Sequence, residues 1–358
     1  MIWLTVLVFI VLLLALILAH EWGHYIAAKK AGCGVEEFAF GFPPRLFSVM
    51  RGGTRFSFNL LPIGGYVKIE GEDMNDPSDS PTNFGNKSAP WRLFIIVAGV
   101  LMNVVLAAVL LSIQAGLGVP SLVTEENANK VSDLKAFVVE VAPNSPAEQA
   151  GIEALDRIIS IGPVTNPTTR QVQSVVSENL GQSLEVEVER RGVHKTITAT
   201  PRVEFPAEDG ALGVSLQEMG LELVPWWQAP AVGVARTGQM LVGIVSQFWL
   251  LLHMLISQGT TGEVITGPVG IAVYTNEVTN MGISYILEFA ALISLNLALI
   301  NILPFPALDG GRILFIGLEV LARRRLPARI EQATHMAGFV VLILLMLFIT
   351  LKDITRFF

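Results

Sequence analysis

An apolar run opens the chain and leads directly into a metal-binding pattern. Residues 2–19 are apolar apart from Thr5, and residues 20–24 read His-Glu-Trp-Gly-His. The run approaches the roughly 20 residues that a helix needs to cross a bilayer. On a helix, His20 and His24 project from one face and can bind one ion. The sequence therefore predicts a metal site at the end of a membrane helix.

Glu21 follows the first predicted ligand. In zinc hydrolases such a glutamate can take a proton from a water whose pKa the metal lowers to roughly 7. The pattern is typical of these enzymes, although five letters with two free positions also recur by chance. Its setting favours a functional metal site over a chance match, because polar and charged groups at membrane depth cost free energy unless something pairs with them. Glu21 is the predicted catalytic residue, and His20 and His24 are predicted zinc ligands.

Composition agrees with a membrane protein. Of the 358 residues, 52% are hydrophobic and 15% are charged, and the mean hydropathy is +0.56. These values are far from those of a soluble protein of this length. The net charge of −7 comes without a basic tract, so no nucleic-acid partner is expected. The first apolar run lacks a basic flank and a small-residue cleavage site, which indicates a retained helix and not a signal peptide.

Four further apolar stretches follow. Residues 91–119, 283–303 and 333–351 are each long enough to span a bilayer. Residues 232–256 carry polar side chains mostly along one helical face, a pattern that suits a helix lying in the membrane interface.

A catalytic zinc site takes three protein ligands, and Asp309 is the best candidate for the third. It ends the stretch Asn-Ile-Leu-Pro-Phe-Pro-Ala-Leu-Asp, in which two prolines interrupt a helix. His20 and Asp309 both lie at the C-terminal end of an apolar stretch, so the two helices must run in the same direction. This holds if residues 232–256 do not cross, which predicts four transmembrane helices.

Basic residues orient these helices. They concentrate between the first two and between the last two predicted spans, and such loops usually face the cytoplasm. The residues are Lys29, Lys30, Lys68, Arg92, Arg323, Arg324, Arg325 and Arg329. The termini and residues 120–282 are therefore expected outside, with the active site toward the cytoplasmic side.

Residues 120–220 are predicted to form a small extracytoplasmic α/β domain. Strands are expected at 137–141, 156–161, 184–189 and 194–200, with a helix at 169–180. The domain resembles a PDZ domain, with residues 210–216 as its carboxylate loop and edge strand. It either binds a peptide C-terminus in its groove or acts as a rigid cap that restricts access. Residues 221–282 are expected to form the interfacial amphipathic segment and a loop.

A β-hairpin is predicted at residues 54–69, with its turn at 61–65. Its exposed edge, including Gly64, Gly65 and Tyr66, can add a substrate strand and hold it extended for cleavage. The alternative is an ordinary cytoplasmic hairpin.

Two asparagines, Asn296 and Asn301, lie in the apolar stretch 283–303. An amide in such a helix usually bonds a neighbouring helix. Asn301, eight residues before Asp309, is better placed to hold substrate backbone or a developing oxyanion. Both are candidate substrate-binding residues.

Together these motifs resemble the site-2 proteases, of the bacterial regulator-of-sigma-E protease type, over nearly the whole chain. The matching pieces are His20-Glu-Trp-Gly-His24, Gly41-Phe-Pro-Pro44, Gly64-Gly-Tyr-Val-Lys68, the PDZ-like domain, Gly267-Pro-Val-Gly270, and Asn296 through Leu308-Asp309-Gly310-Gly311. The resemblance implies Zn²⁺ on His20, His24 and Asp309, catalysis by Glu21, substrate contact by Asn301, and a hairpin that re-enters the membrane.

The resemblance also implies the overall class, a polytopic α-helical protein of the bacterial cytoplasmic (inner) membrane. The expected parts are 1–119, 120–220, 221–282 and 283–358, with one PDZ-like unit where the best-known branch has two. Expected partners are the lipid bilayer and single-span substrates such as anti-sigma factors or remnant signal peptides. Two alternatives stay open: a membrane-anchored zinc metalloprotease of another family acting on cytoplasmic faces of proteins, and a non-catalytic PDZ scaffold.

Overall fold

A computed structural model describes residues 2–72, 80–124, 127, 129, 131–154, 156–190, 193–206, 209–258, 267–325 and 327–357. The chain forms two compact units. The helical unit comprises Met1–Leu111, Gly233–Asn276 and Leu287–Phe358, and the strand-rich unit comprises Ser112–Val232 and Glu277–Ile286.

The helices explain why the chain is so apolar. In chain order they are α1 (Ile2–Lys30), α2 (Ala89–Leu117), α3 (Pro146–Ala150), α4 (Thr169–Glu178), α5 (Ala229–Gln258), α6 (Pro268–Met281), α7 (Ile283–Ile302), α8 (Asp309–Ala322) and α9 (Ala328–Phe357). Among the described residues, α1, α2, α5, α7 and α9 are long and apolar enough to cross a membrane. Since α5 meets this criterion as well, the prediction of four crossings depends on the directions of the helices.

Contacts between the helices give these directions. The Ser294 hydroxyl of α7 donates to the main-chain oxygen of Asn103 in α2, and the Gln114 amide of α2 donates to the main-chain oxygen of Ser284 in α7. Helices α2 and α7 are therefore antiparallel. Helix α1 is antiparallel to α2 in the same way, because His24 of α1 contacts Ile95 of α2 while the earlier residue His20 lies beside the later residue Asn103. It follows that α1 and α7 run in the same direction.

Helix α6 occupies a stretch where the sequence predicted a loop. Its first turn binds the C-terminal end of α9, because the Gly270 N–H donates to the buried Asp353 carboxylate over 2.8 Å. Its later part reaches the start of α1, where the Thr5 hydroxyl donates to the Asn276 side chain, also over 2.8 Å. The prediction failed because the segment is too short and too polar to read as a membrane helix.

Nine strands are present among the described residues. They are β1 (Val35–Arg51), β2 (Thr54–Ile69), β3 (Val119–Leu122), β4 (Val131–Val141), β5 (Arg157–Ile161), β6 (Val164–Thr165), β7 (Leu184–Arg190), β8 (Val193–Ala199) and β9 (Val214–Glu222). In the strand-rich unit the order is β3-β9-β4-β5-β7-β8, with β6 beside β5. Its apolar core includes Val138, Ile161 and Val186.

The expected edge strand of this unit is only partly an edge. All of β9 lies along β4, and its last residues also pair with β3, from Met219 opposite Leu122 to Glu222 opposite Val119. The sequence missed β3 because these four residues directly follow a long apolar helix. The open part of the β9 edge is therefore limited to its first residues.

The predicted hairpin at 54–69 has a different pairing from the expected one. Both of its halves pair with β1 and not with each other: Phe38 lies between Phe56 on one side and Val67 on the other. The end of β1 then pairs with the start of β2, as in the pair Arg51 and Thr54. The result is a sheet of four rows, in the order 45–51, 54–59, 35–42 and 65–69. Residues 65–69 form one of its edges.

A buried carboxylate ties β1 to β2. Glu37 accepts hydrogen bonds from the Ser57 hydroxyl and the Arg45 guanidinium, at 2.6 and 2.8 Å. Burial by itself raises the pKa of the Glu37 carboxyl, but the bonds from Ser57 and Arg45 outweigh it and hold this pKa below its ordinary value. Glu37 is therefore ionised and fixes the two strands beside each other.

Candidate active site

Three predicted metal ligands meet in the helical unit. His20 and His24 lie on the same face of α1, with their Nε2 atoms 3.2 Å apart. The Oδ2 atom of Asp309, the first residue of α8, lies 3.2 Å from the first of these nitrogens and 3.4 Å from the second. This Oδ2 atom is buried and has no hydrogen-bond partner among the described residues.

The spacing of these atoms fits zinc. A tetrahedral zinc ion with bonds of about 2.0 to 2.1 Å separates its ligand atoms by about 3.3 to 3.4 Å. The three separations between the imidazole nitrogens and the Asp309 oxygen are 3.2, 3.2 and 3.4 Å. Two imidazoles and one carboxylate also form a donor set that leaves the fourth position of a catalytic zinc open. The residues present therefore fit the ion.

Residues on α2 orient both imidazoles. The Nδ1 atom of His24 lies 2.9 Å from the main-chain oxygen of Ile95, which makes Nδ1 the donor and leaves Nε2 for the metal. On His20, the corresponding Nδ1 lies 3.4 Å from the side-chain amide of Asn103. The buried Oδ1 atom of Asn103 has no hydrogen-bond partner in the described part of the chain, so rotating this amide by half a turn gives Nδ1 of His20 an acceptor. Sequence reasoning missed Asn103, which had no distinguishing pattern.

Glycines allow α1 and α2 to approach at this level. A side chain on Gly23 would meet the main chain of Ala98, and one on Gly99 would meet both imidazoles. The two helices therefore cross where the metal ligands lie, and Gly99 leaves the space that the histidine rings occupy.

The loop before Asp309 is packed just as closely. A Cβ atom on Gly311 would lie 2.5 Å from the main-chain oxygen of Phe305, and one on Gly310 would meet the main-chain oxygens at the end of α7. The two glycines after Asp309 are needed because α8 starts against the chain that leads into it.

A cavity of about 650 Å³ opens at the three ligands and Glu21. Residues 66–69 of the β2 edge form part of its wall, and α9 forms another part with Gln332, His335, Met336 and Phe339. At the end of this edge, a Cβ atom on Gly65 would lie 3.6 Å from the Cγ atom of Glu21. The edge strand therefore passes directly beside the predicted catalytic residue.

The two candidate asparagines lie elsewhere on α7. The Asn296 amide donates to the main-chain oxygen of Leu292 in its own helix, over 2.8 Å, and not to a neighbouring helix as expected. Asn301 is half-buried near the end of α7. Neither is among the described residues that line the cavity. Their contact with substrate stays a prediction.

Comparison with known proteins places this site in a family. Residues 8–345 match the model of Peptidase family M50. The chain belongs to peptidase family M50. The resemblance to the site-2 proteases drawn from the motifs is thereby confirmed.

Several curated relatives of this M50 chain match along almost their full lengths. The zinc metalloprotease RasP of Oceanobacillus iheyensis is 31% identical over 99% of both chains. A putative zinc metalloprotease of Clostridium perfringens is 35% identical over 95% of both chains, and RasP of Geobacillus kaustophilus is 28% identical over 99% of this chain and 98% of its own. The protein is a zinc metalloprotease with several helices able to cross a membrane. This sets aside the alternatives of a protease of another family and of a non-catalytic scaffold.

Proposed function

We propose that this M50 peptidase cleaves peptide bonds inside the membrane, in the transmembrane segments of single-span proteins. The observation that carries the proposal is the position of the site on two helices that are apolar and long enough to cross a membrane. His20, Glu21 and His24 lie within the apolar helix Thr5–Lys30, and residues 95–103, which flank the imidazoles, lie within the apolar helix Ala89–Leu117. A site built on such helices favours a transmembrane segment as the substrate.

Each residue of the site has a defined role in hydrolysis. His20, His24 and Asp309 hold the zinc ion. Zinc bound there lowers the pKa of a water to about 7 and polarises the scissile carbonyl. Glu21 takes the proton of the attacking water and then passes it to the nitrogen of the leaving amine.

The β2 edge holds the substrate. A helical peptide bond is protected because its carbonyl accepts a hydrogen bond within the helix. Residues 65–69 form the outer edge of the sheet, where an unwound segment can bind as an added strand. Because Gly65 lies beside Glu21, a strand bound there brings its carbonyls close to the catalytic carboxylate.

The topology of four crossings uses α1, α2, α7 and α9. The start of α6 contacts the C-terminal end of α9, and its later part contacts the N-terminal end of α1, so the chain is on that side of the membrane when it enters α7. If α5 crossed, residues 258–267 would have to return across the bilayer. Nine residue steps reach at most about 30 to 32 Å, which is about the thickness of the hydrocarbon core of a bilayer. The chain would have to be fully extended to cross, and its backbone N–H and C=O groups would then lack hydrogen-bond partners in the lipid. We infer that α5 does not cross.

Basic loops then give the orientation, with the active site toward the cytoplasm and the strand-rich unit outside. Within that unit, Glu218 of β9 accepts hydrogen bonds from the N–H and the hydroxyl of Thr169 at the start of α4, at 2.7 and 2.5 Å. This contact bridges β9 and α4, the two elements between which a PDZ-like groove would receive a peptide. We infer that the unit serves as a cap that restricts access and not as a receptor for peptide C-termini.

The proposal is tested with a single-span reporter reconstituted with zinc-loaded protein. Wild type is expected to cut the reporter within its transmembrane segment, and Glu21→Gln, with the same zinc content, is expected to leave it intact. Equal cleavage by the two proteins contradicts the role of Glu21. Cleavage confined to soluble loops of the reporter contradicts an intramembrane activity.

The proposed substrate class comes from the resemblance to the site-2 proteases. Single-span anti-sigma factors and remnant signal peptides each present one apolar helix without a bulky outer domain after a first cut. Co-purification of such proteins with Glu21→Gln from bacterial membranes supports this class, whereas recovery of multi-span proteins alone argues against it.

A further inference from the structure

The loop that delivers Asp309 is held in a strained conformation. Ala307, two residues before Asp309, has a φ of 75°, in the left-handed region that residues other than glycine rarely adopt. Such a conformation persists when surrounding contacts fix it. The contacts that hold Ala307 therefore bear on the position of Asp309.

These contacts come from α9. The Ala307 N–H donates to the Nδ1 atom of His335 over 2.9 Å. One turn further along α9, Gly338 lies so close to Pro306 that a Cβ atom there would be 2.5 Å from the main-chain oxygen of Pro306. Residues 335 and 338 share a helix face, so one side of α9 contacts the two successive loop residues Pro306 and Ala307.

The imidazole of His335 is itself fixed by α8. Its ring packs against Phe315, with ring centroids 5.4 Å apart. The neighbouring loop N–H groups have main-chain acceptors, since Phe305 bonds Leu303 and Leu308 bonds Phe305. The Ala307 N–H depends on a side chain, and without His335 it would lose this acceptor.

We propose that His335 is a positioning residue for the metal ligand Asp309. Its Nδ1 atom holds the Ala307 N–H, which fixes the loop and sets where α8 begins. His335 also lines the cavity with its α9 neighbours, so it joins a wall of the cavity to the metal site. This inference rests on the proposed role of Asp309 as the third zinc ligand.

Two substitutions separate this role from general packing. In His335→Asn the side-chain oxygen occupies nearly the position of Nδ1 and can accept the same bond. In His335→Gln a polar group reaches the position of Nε2, and the Nδ1 acceptor is lost. The variant His253→Gln, at an exposed position of α5, controls for the loss of an imidazole.

The measurements are zinc affinity by chelator competition and the visible spectrum of the cobalt-substituted protein. We expect His335→Gln to bind zinc about tenfold more weakly, in line with the loss of one hydrogen bond to a buried group. Its cobalt spectrum should show altered coordination. His335→Asn and His253→Gln should resemble wild type in both measurements.

Wild-type affinity and spectrum in His335→Gln would overturn the proposal. So would equal losses in His335→Asn and His335→Gln, because packing alone would then explain them. Asp309→Ala separates this failure from that of the proposed site: if Asp309→Ala binds zinc as tightly as wild type, the assignment of the third ligand is wrong. Thermal midpoints of the metal-free proteins show whether a variant has simply lost its fold.

Discussion

A methyl group on Gly99 would overlap the Nε2 atom of His24, which is one of the three proposed metal-binding atoms. Because α2 cannot retreat without losing its contact with α1, Gly99→Ala should displace the imidazole and weaken zinc binding at least about tenfold. Gly116→Ala on the same helix serves as the matched control, because its Cβ atom would meet no other described segment within 4 Å. Chelator competition measures both. Wild-type zinc affinity in Gly99→Ala would show that the ring has room to move.

Asn103 should hold the imidazole of His20 in the orientation that leaves its Nε2 atom for the metal. Removal of such partners typically weakens metal binding about 10- to 100-fold, so Asn103→Leu should fall in that range. Asn103→Asp retains an acceptor for the Nδ1–H of His20 and should keep most of the affinity. The comparison uses zinc titrations of the detergent-solubilised proteins. If the leucine and aspartate variants lose affinity equally, the amide contributes by packing and not by accepting this hydrogen.

A buried ion pair links α2 to α8. The Arg92 guanidinium and the Glu319 carboxylate lie 2.7 Å apart, with 6% and 5% of each residue exposed. Removal of one partner leaves a buried charge and is expected to cost about 3 to 5 kcal/mol. Glu319→Gln should therefore lower the thermal midpoint strongly, while the double variant Arg92→Met/Glu319→Leu should recover much of it. A single variant as stable as wild type would mean that water reaches the remaining charge.

The contact between Glu218 and Thr169 predicts how the cap responds to substitution. Glu218→Ala removes the carboxylate that closes the space between β9 and α4. Fluorescent peptides with free C-termini should then bind the full-length variant more tightly than wild type, by fluorescence anisotropy. Thr124→Ala, outside β9 and α4, is the control. Tight peptide binding by wild type would contradict a closed groove.

The ligands were accessible to sequence reasoning because zinc chemistry restricts them. Two histidines four apart require a third ligand, and Asp309 follows a broken apolar helix that must run parallel to α1. The contributions of Gly99, Asn103 and His335 depend instead on the level at which helices cross. An apolar sequence does not show where along its length a helix crosses its neighbour. The small and polar residues at a crossing therefore cannot be told from those elsewhere in the helix.

The hairpin shows a second limit. The alternation of apolar and polar residues at 54–69 correctly indicated an extended backbone. It did not show that both halves of this segment pair with β1. The prolines in Gly41-Phe-Pro-Pro44 argue against a strand, because proline cannot donate a ladder hydrogen bond. In the structure Pro43 and Pro44 lie where β1 changes partner, between the pairs Phe42 with Leu61 and Arg45 with Asn59. The strand β3 was missed because it directly follows a long apolar helix, and α6 was missed because it is too short and too polar to read as a membrane helix.

The proposed metal ligands belong to α1 and α8, near opposite ends of the chain, so a zinc ion held by them would act as a cross-link in the folded protein. An ion that binds only the folded state adds about 1.4 kcal/mol to stability for each tenfold rise in its free concentration above the dissociation constant. With this ligand set, zinc supply in the cell would set how much of the protease survives quality control, as well as how much of it is active.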